Sequence, residues 1–136
     1  MNKYLLDTGP LAAYLHGREY AVSAISPWIA QGQAVTSILV YGEVTEYLKG
    51  LPEYPRHHKQ LRSLLRTISP YLLTYTIMNR YADIRRVLRP PHGKGLIGDI
   101  DTLIAATALE HDLTVVTNNA KHFTQVKGLK VHELNR

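Results

Sequence analysis

Short apolar runs alternate along this chain with longer stretches in which apolar residues recur at helical spacing. The short runs, at residues 3–6, 33–37, 71–74, 113–117 and 129–131, read as strands. Between them, Pro10 suits the first turn of a helix to about Leu15, and residues 19–30 form a second helix that Pro27 disturbs. Val40, Val44, Tyr47 and Leu48 mark a third helix from Ile38 to about Gly50, capped by Thr36 or Ser37. After a turn at 51–55, Leu61, Leu64, Leu65 and Ile68 mark a fourth. Thr76 can cap a fifth, running to about Leu88. A loop rich in Pro and Gly at 89–95 then leads to a last long helix beginning near Asp99 and Asp101. This alternation predicts an α/β fold: a three-layer α/β/α sandwich around a mostly parallel sheet of four to five strands. At 136 residues the chain is read as a single domain, residues 1–136.

The distribution of charge changes the picture more than its total. The formal charge is +5, but residues 54–98 carry nine Lys and Arg against one acid, Asp83, a net of +8. The rest of the chain is therefore at −3. A basic half beside an acidic half predicts an anionic partner near a cation-binding pocket, with ordinary solvated helix faces as the alternative. Arg56, Arg62, Arg66, Arg85, Arg86 and Arg89 are the candidate contacts to RNA or DNA. His57 and His58 are adjacent, so they face different sides of a helix and are expected to meet solvent or a partner. No cysteine is present, which excludes thiol catalysis, thiolate metal sites and disulfides. The first apolar run is cut by Asp7, too early for a spanning helix or a secretion signal. A soluble cytoplasmic protein with no membrane partner is expected.

The candidate chemistry lies in carboxylates far apart in sequence. Asp7 follows the first strand, and ligands of open α/β sheets collect beyond the carboxyl ends of strands. Its alternative role is a helix N-cap, which Thr8 or Gly9 could also fill. Glu43 falls on the border of the third helix's apolar stripe, whereas Glu46 points away. A carboxylate at a core edge is either salt-bridged or metal-bound, and placement alone leaves both open. Asp101 begins a helix face shared with Ile104, Ala105 and Ala108, while Asp99 beside Gly98 resembles a cap. Converging carboxylates repel unless a cation joins them, and hard oxygen ligands suit Mg²⁺ or Mn²⁺.

Three segments, LLDTGPLAAYL, TSILVYGEVTEYL and DTLIAATALEHDLTVVTNN with a following Phe, resemble the PIN-domain proteins, and within them the small VapC-type toxins of toxin–antitoxin pairs. The similarity covers essentially the whole chain. It implies a Mg²⁺- or Mn²⁺-dependent endoribonuclease, a homodimer and a cognate VapB-type antitoxin. Carried over by position, the catalytic and metal-binding acids are Asp7, Glu43 and Asp101, with Asp99 in or beside the metal site. Thr8 keeps a hydroxyl at the site. The chain departs from the pattern where a fourth acid often stands, here Asn119 and His122; Asn119 then holds a water or orients Asp7. It also reads Asp7-Thr8-Gly9 where Asp-Thr-Asn is commoner.

Two other functions compete. A catalytically silent PIN-like module that binds RNA or a protein partner would explain the missing fourth acid. A phosphoacceptor receiver domain wants an acid pair before its nucleophile and a late Lys, and only Asp7 stands at the first strand end.

Overall fold

The computed structural model describes residues 3–135. In chain order the elements are β1 (Tyr4–Leu6), α1 (Thr8–Leu15), α2 (Glu19–Ala30), β2 (Ala34–Ser37), α3 (Ile38–Lys49) and α4 (Tyr54–Leu64). There follow β3 (Pro70–Tyr71), α5 (Tyr75–Leu88), α6 (Asp99–His111), β4 (Thr114–Thr117), α7 (Ala120–Phe123) and β5 (Lys130–Glu133). The five strands form one sheet in the order β3-β2-β1-β4-β5. Every adjacent pair is parallel. Parallel neighbours need crossovers, and right-handed crossovers place α1 to α4 on one face of the sheet and α5 to α7 on the other. This is the α/β/α sandwich expected.

Burial follows from that topology. Parallel strands covered on both faces are apolar throughout: Leu5, Leu6, Val115 and Val116 at the centre of the sheet have no exposed surface. The small residues of α6 let it lie close to the sheet, and Ile104, Ala105, Ala106 and Ala108 are fully buried. Thr102 and Thr107 are buried among them, but their hydroxyls donate to the carbonyls of Gly98 and Leu103 one turn earlier, both at 2.8 Å. No buried donor is left unmet there. Among the described residues no helix is long and apolar enough to cross a membrane.

The local differences from the sequence reading have identifiable causes. The fourth helix begins at Tyr54, inside the expected turn, because Glu53 takes a left-handed conformation (φ 59°) and Pro55 fits the first turn. The third strand ends at Tyr71 rather than Thr74. Its neighbour β2 ends at Ser37, the partner of Tyr71, so nothing pairs with Leu72 and Leu73. Thr74, not Thr76, caps α5, its hydroxyl accepting from Ile77 N–H at 3.2 Å. One short helix, α7, was not foreseen; the buried Phe123 anchors it.

Candidate active site

The chain leaves β1 toward β2 and returns from β3 to β4 on the opposite side of β1. That reversal opens a crevice beyond the carboxyl ends of β1 and β4, where doubly wound sheets bind ligands. Asp7 is the first residue after β1, and its N–H donates to Val116 O at 2.9 Å. It holds the N-cap position of α1, yet its side chain makes no capping bond. Because Leu6 pairs with Val116, the next residues, Asp7 and Thr117, meet at the same level. Thr117 Oγ1 donates to Asp7 Oδ2 at 2.7 Å, and both residues are buried.

Glu43 arrives on α3, which Ser37 fixes to the end of β2 by accepting from Leu39 N–H at 3.1 Å. The half-buried Glu43 takes a hydrogen bond from Thr8 Oγ1 at 2.5 Å. Asp101 arrives on the first turn of α6, with Oδ2 3.0 Å from His122 Nδ1. Burial pushes the Asp7 carboxyl above its ordinary range, and the charges of Asp101 and Glu43 push it further. Hydrogen bonds from the Thr117 hydroxyl and the Thr8 backbone work in the opposite direction.

Among the described residues no three Asp, Glu or His side chains are gathered tightly enough to enclose an ion as they stand. Each acid is drawn to its own donor, Asp7 to Thr117, Glu43 to Thr8 and Asp101 to His122. The donor set itself fits a hard divalent cation: it is all oxygen and all carboxylate, and its buried member carries a raised pKa that a positive charge would offset.

Asp99 is placed differently from the role drawn from the sequence. It neither caps α6 nor figures among the charges that perturb Asp7. Two helical residues apart from Asp101, it points to another side of the helix. There Arg85 Nη1 lies 2.6 Å from its Oδ1, Tyr81 OH donates to the same oxygen at 3.1 Å, and its side chain is 70% exposed. Thr117, not Asn119, orients Asp7. Asn119 N–H donates to Thr117 Oγ1 at 2.9 Å, and its amide nitrogen lies 2.9 Å from His122 Nδ1.

Thr117 is the site residue that the sequence reading passed over, and His122, named there only as standing where a fourth acid often does, is drawn to Asp101. The signal for Thr117 was its position as the first polar residue ending an apolar strand that pairs with the strand bearing Asp7. Gly9 has a reason of its own: a Cβ there would lie 1.7 Å from Asn118 Oδ1. Asn118 cannot easily yield, because its Nδ2 donates to Leu134 O at 2.5 Å.

The arginines divide between two grooves. Arg62 and Arg66 line one of about 420 Å³ with Tyr41, Leu65 and Ile38, the residue that directly follows β2. Arg85, Arg86 and Arg89 line another of about 460 Å³ with Tyr81. Arg56 is exposed and pairs with Glu53 at 3.2 Å. The adjacent histidines do not simply face solvent. His58 Nε2 lies 3.0 Å from Tyr41 OH, and His57 buries its Nδ1 with no hydrogen-bond partner.

Comparison with known proteins agrees with this architecture. Ribonuclease VapC1 of Rickettsia felis is 29% identical over an alignment that covers 93% of this chain and 92% of that protein. The crystal structure of VapBC2 from Rickettsia felis, bound to a DNA fragment from their promoter, superposes with a TM-score of 0.84 at 19% identity, over 97% of this chain and 98% of that one. FitAcB from Neisseria gonorrhoeae superposes with a TM-score of 0.83 at 24% identity, over 96% of both chains. At such identities the two structures speak for the fold alone. The PIN domain model, in contrast, matches residues 4–129, which hold all seven helices and four of the five strands. The chain belongs to the PIN-domain family.

Proposed function

We propose that this protein is a divalent-cation-dependent endoribonuclease, the toxin of a toxin–antitoxin pair. The observation that supports the reading is that Asp101 and Glu43, from two distant segments, lie near enough to the buried Asp7 at the end of β1 for their charges to raise its pKa. The relative named Ribonuclease VapC1 supports the choice of RNA as substrate. Asp7, Glu43 and Asp101 would hold Mg²⁺ or Mn²⁺, and Asp99, bound to Arg85, stays outside the set. A divalent cation there supplies neutralisation of the charge that develops on a phosphodiester, together with activation of water.

The chain's own residues prepare the site. Thr117 and Thr8 each hold one oxygen of an acid, which fixes the carboxylates before substrate arrives. The burial of Asp7 excludes bulk water from the innermost ligand and strengthens each electrostatic contact made there. Arg62 and Arg66, beside the carboxyl end of β2, are set to meet the phosphate backbone of a strand entering the crevice. Hydrolysis forms a bond from water oxygen to phosphorus and breaks the P–O3′ bond, leaving a 3′-hydroxyl and a 5′-phosphate.

A homodimer in the cytoplasm, bound by a VapB-type antitoxin, completes the proposal. The exposed apolar residues Leu72, Leu73, Tyr75 and Met78 offer a surface for such protein partners. The test is incubation of purified protein with end-labelled single-stranded RNA, with Mg²⁺ or with EDTA. Cation-dependent products bearing 5′-phosphates are expected. RNA binding without cleavage under any divalent cation would instead favour a silent RNA-binding module, the reading to which Asn119 and His122 in place of a fourth acid point.

A further inference from the structure

His122 stands outside the three-acid set, yet its ring is drawn into it. Nδ1 lies 3.0 Å from Asp101 Oδ2 and 2.9 Å from Asn119 Nδ2. One ring nitrogen cannot serve both neighbours in that arrangement, because an ionised carboxylate only accepts and an amide nitrogen only donates. A half-turn of the Asn119 amide removes the conflict by bringing Oδ1 against the ring without moving the chain. Nδ1–H then donates to Asp101 in a charge-assisted bond, and Asn119 Oδ1 shares the same hydrogen.

These contacts join a longer path. Asn119 N–H donates to Thr117 Oγ1 at 2.9 Å, and Thr117 Oγ1 donates to Asp7 Oδ2 at 2.7 Å. A continuous chain of hydrogen bonds thus runs from Asp7 through Thr117, Asn119 and His122 to Asp101. Its scaffold is α7, a single turn that sets Asn119 and His122 three residues apart on one side. Phe123, next to His122 and wholly buried, fixes that turn in the core. Nε2 of His122 has no hydrogen-bond partner among the described residues.

We infer that the segment Thr117–Asn119–His122 is a clamp that sets Asp7 and Asp101 relative to each other, with His122 as the positioning residue on Asp101. This rests on the reading of the acids as a divalent-cation site. The clamp ties Oδ2 of each carboxylate and leaves Oδ1 of Asp101 for an ion. It does so without adding a fourth negative charge, which suits the site to one cation per chain.

Titration calorimetry with Mn²⁺ as the probe tests the clamp without recourse to activity. His122→Ala should weaken Mn²⁺ binding by about 10–100-fold, the usual cost of removing a group that orients a ligand. His122→Asn, whose amide nitrogen falls where Nδ1 was, should restore most of the affinity. His122→Gln, which mimics Nε2, should not. Asn119→Ala leaves the ring in place and should weaken binding in the same direction by less, so the test survives if His122→Ala fails to fold. Unchanged Mn²⁺ affinity in folded His122→Ala overturns the clamp while the cation site stands. Rescue by Gln and not by Asn also overturns it, because the ring would then ligate directly through Nε2. If the unaltered protein binds no Mn²⁺ at millimolar concentration, the clamp falls together with the cation site.

Discussion

Replacing Asp7 by Asn should stabilise the protein without cation and destabilise it with cation. Asp7 is only 8% exposed, and its pKa is raised first by burial and then by the charges of Asp101 and Glu43. The Asn carbonyl can still accept from Thr117, so the variant loses charge and little else. Removing a strained functional charge of this kind gains about 0.5–2 kcal/mol. For a chain of this length that is a rise of about 2–8 °C in melting temperature. With Mn²⁺ at a hundred times its dissociation constant, the unaltered protein gains about 2.7 kcal/mol, and the variant far less. The order of stabilities should therefore reverse between EDTA and MnCl₂, as read by thermal melting of both proteins. The pH dependence has a defined sign. A carboxyl whose folded pKa is raised contributes stability below its unfolded value, near 3.8, and loses that contribution as pH rises through the folded value. In EDTA the advantage of Asp7→Asn should be absent near pH 3.8 and grow toward neutrality. A variant less stable than the parent in EDTA at neutral pH would contradict this.

Thr117→Val removes a buried donor to a charged group and orphans Asn119 N–H, so denaturant unfolding should show a loss of about 1.5–3 kcal/mol. Asp99→Asn should cost less than about 1 kcal/mol, because the Asp99 carboxylate is largely exposed; its cleavage rate should stay near that of the parent. Gly93→Ala would set a Cβ 2.4 Å from Val87 O and 2.6 Å from Leu88 backbone atoms. The loop must shift, and a loss of about 1–3 kcal/mol is expected by thermal or chemical unfolding.

The fold was legible because its period signals were undiluted. The apolar strands at the centre of the sheet and the alanines of α6 left few other ways to bury those faces. Strand ends were less legible where pairing decides them: β3 stops where β2 stops, and no feature of Leu72 or Leu73 announces it. In the site, Asp7 and Asp101 were visible from their placement, whereas Glu43, on the border of its helix's apolar stripe, was assigned only through the resemblance to PIN-domain proteins. The groups that hold them were not visible, because hydrogen bonds such as Thr117 to Asp7 join residues far apart in sequence and depend on strand register. Asp99 shows the converse. Its neighbours in sequence suggested a cap, but Arg85 and Tyr81, brought close by the packing of α5 on α6, took its carboxylate.

If Asp7, Glu43 and Asp101 make this protein a cation-dependent ribonuclease, cleavage must depend on the cation and on each acid. The most direct test is the rate of RNA cleavage by purified protein across a Mn²⁺ titration, for the parent and for Asp101→Asn in parallel. A saturable dependence on Mn²⁺, abolished by EDTA, is expected for the parent. A loss of more than about 100-fold is expected in the variant, because the charge stabilisation at stake is several kcal/mol. Cleavage that persists in EDTA, or an Asp101→Asn variant as fast as the parent, would contradict that reading of the acids.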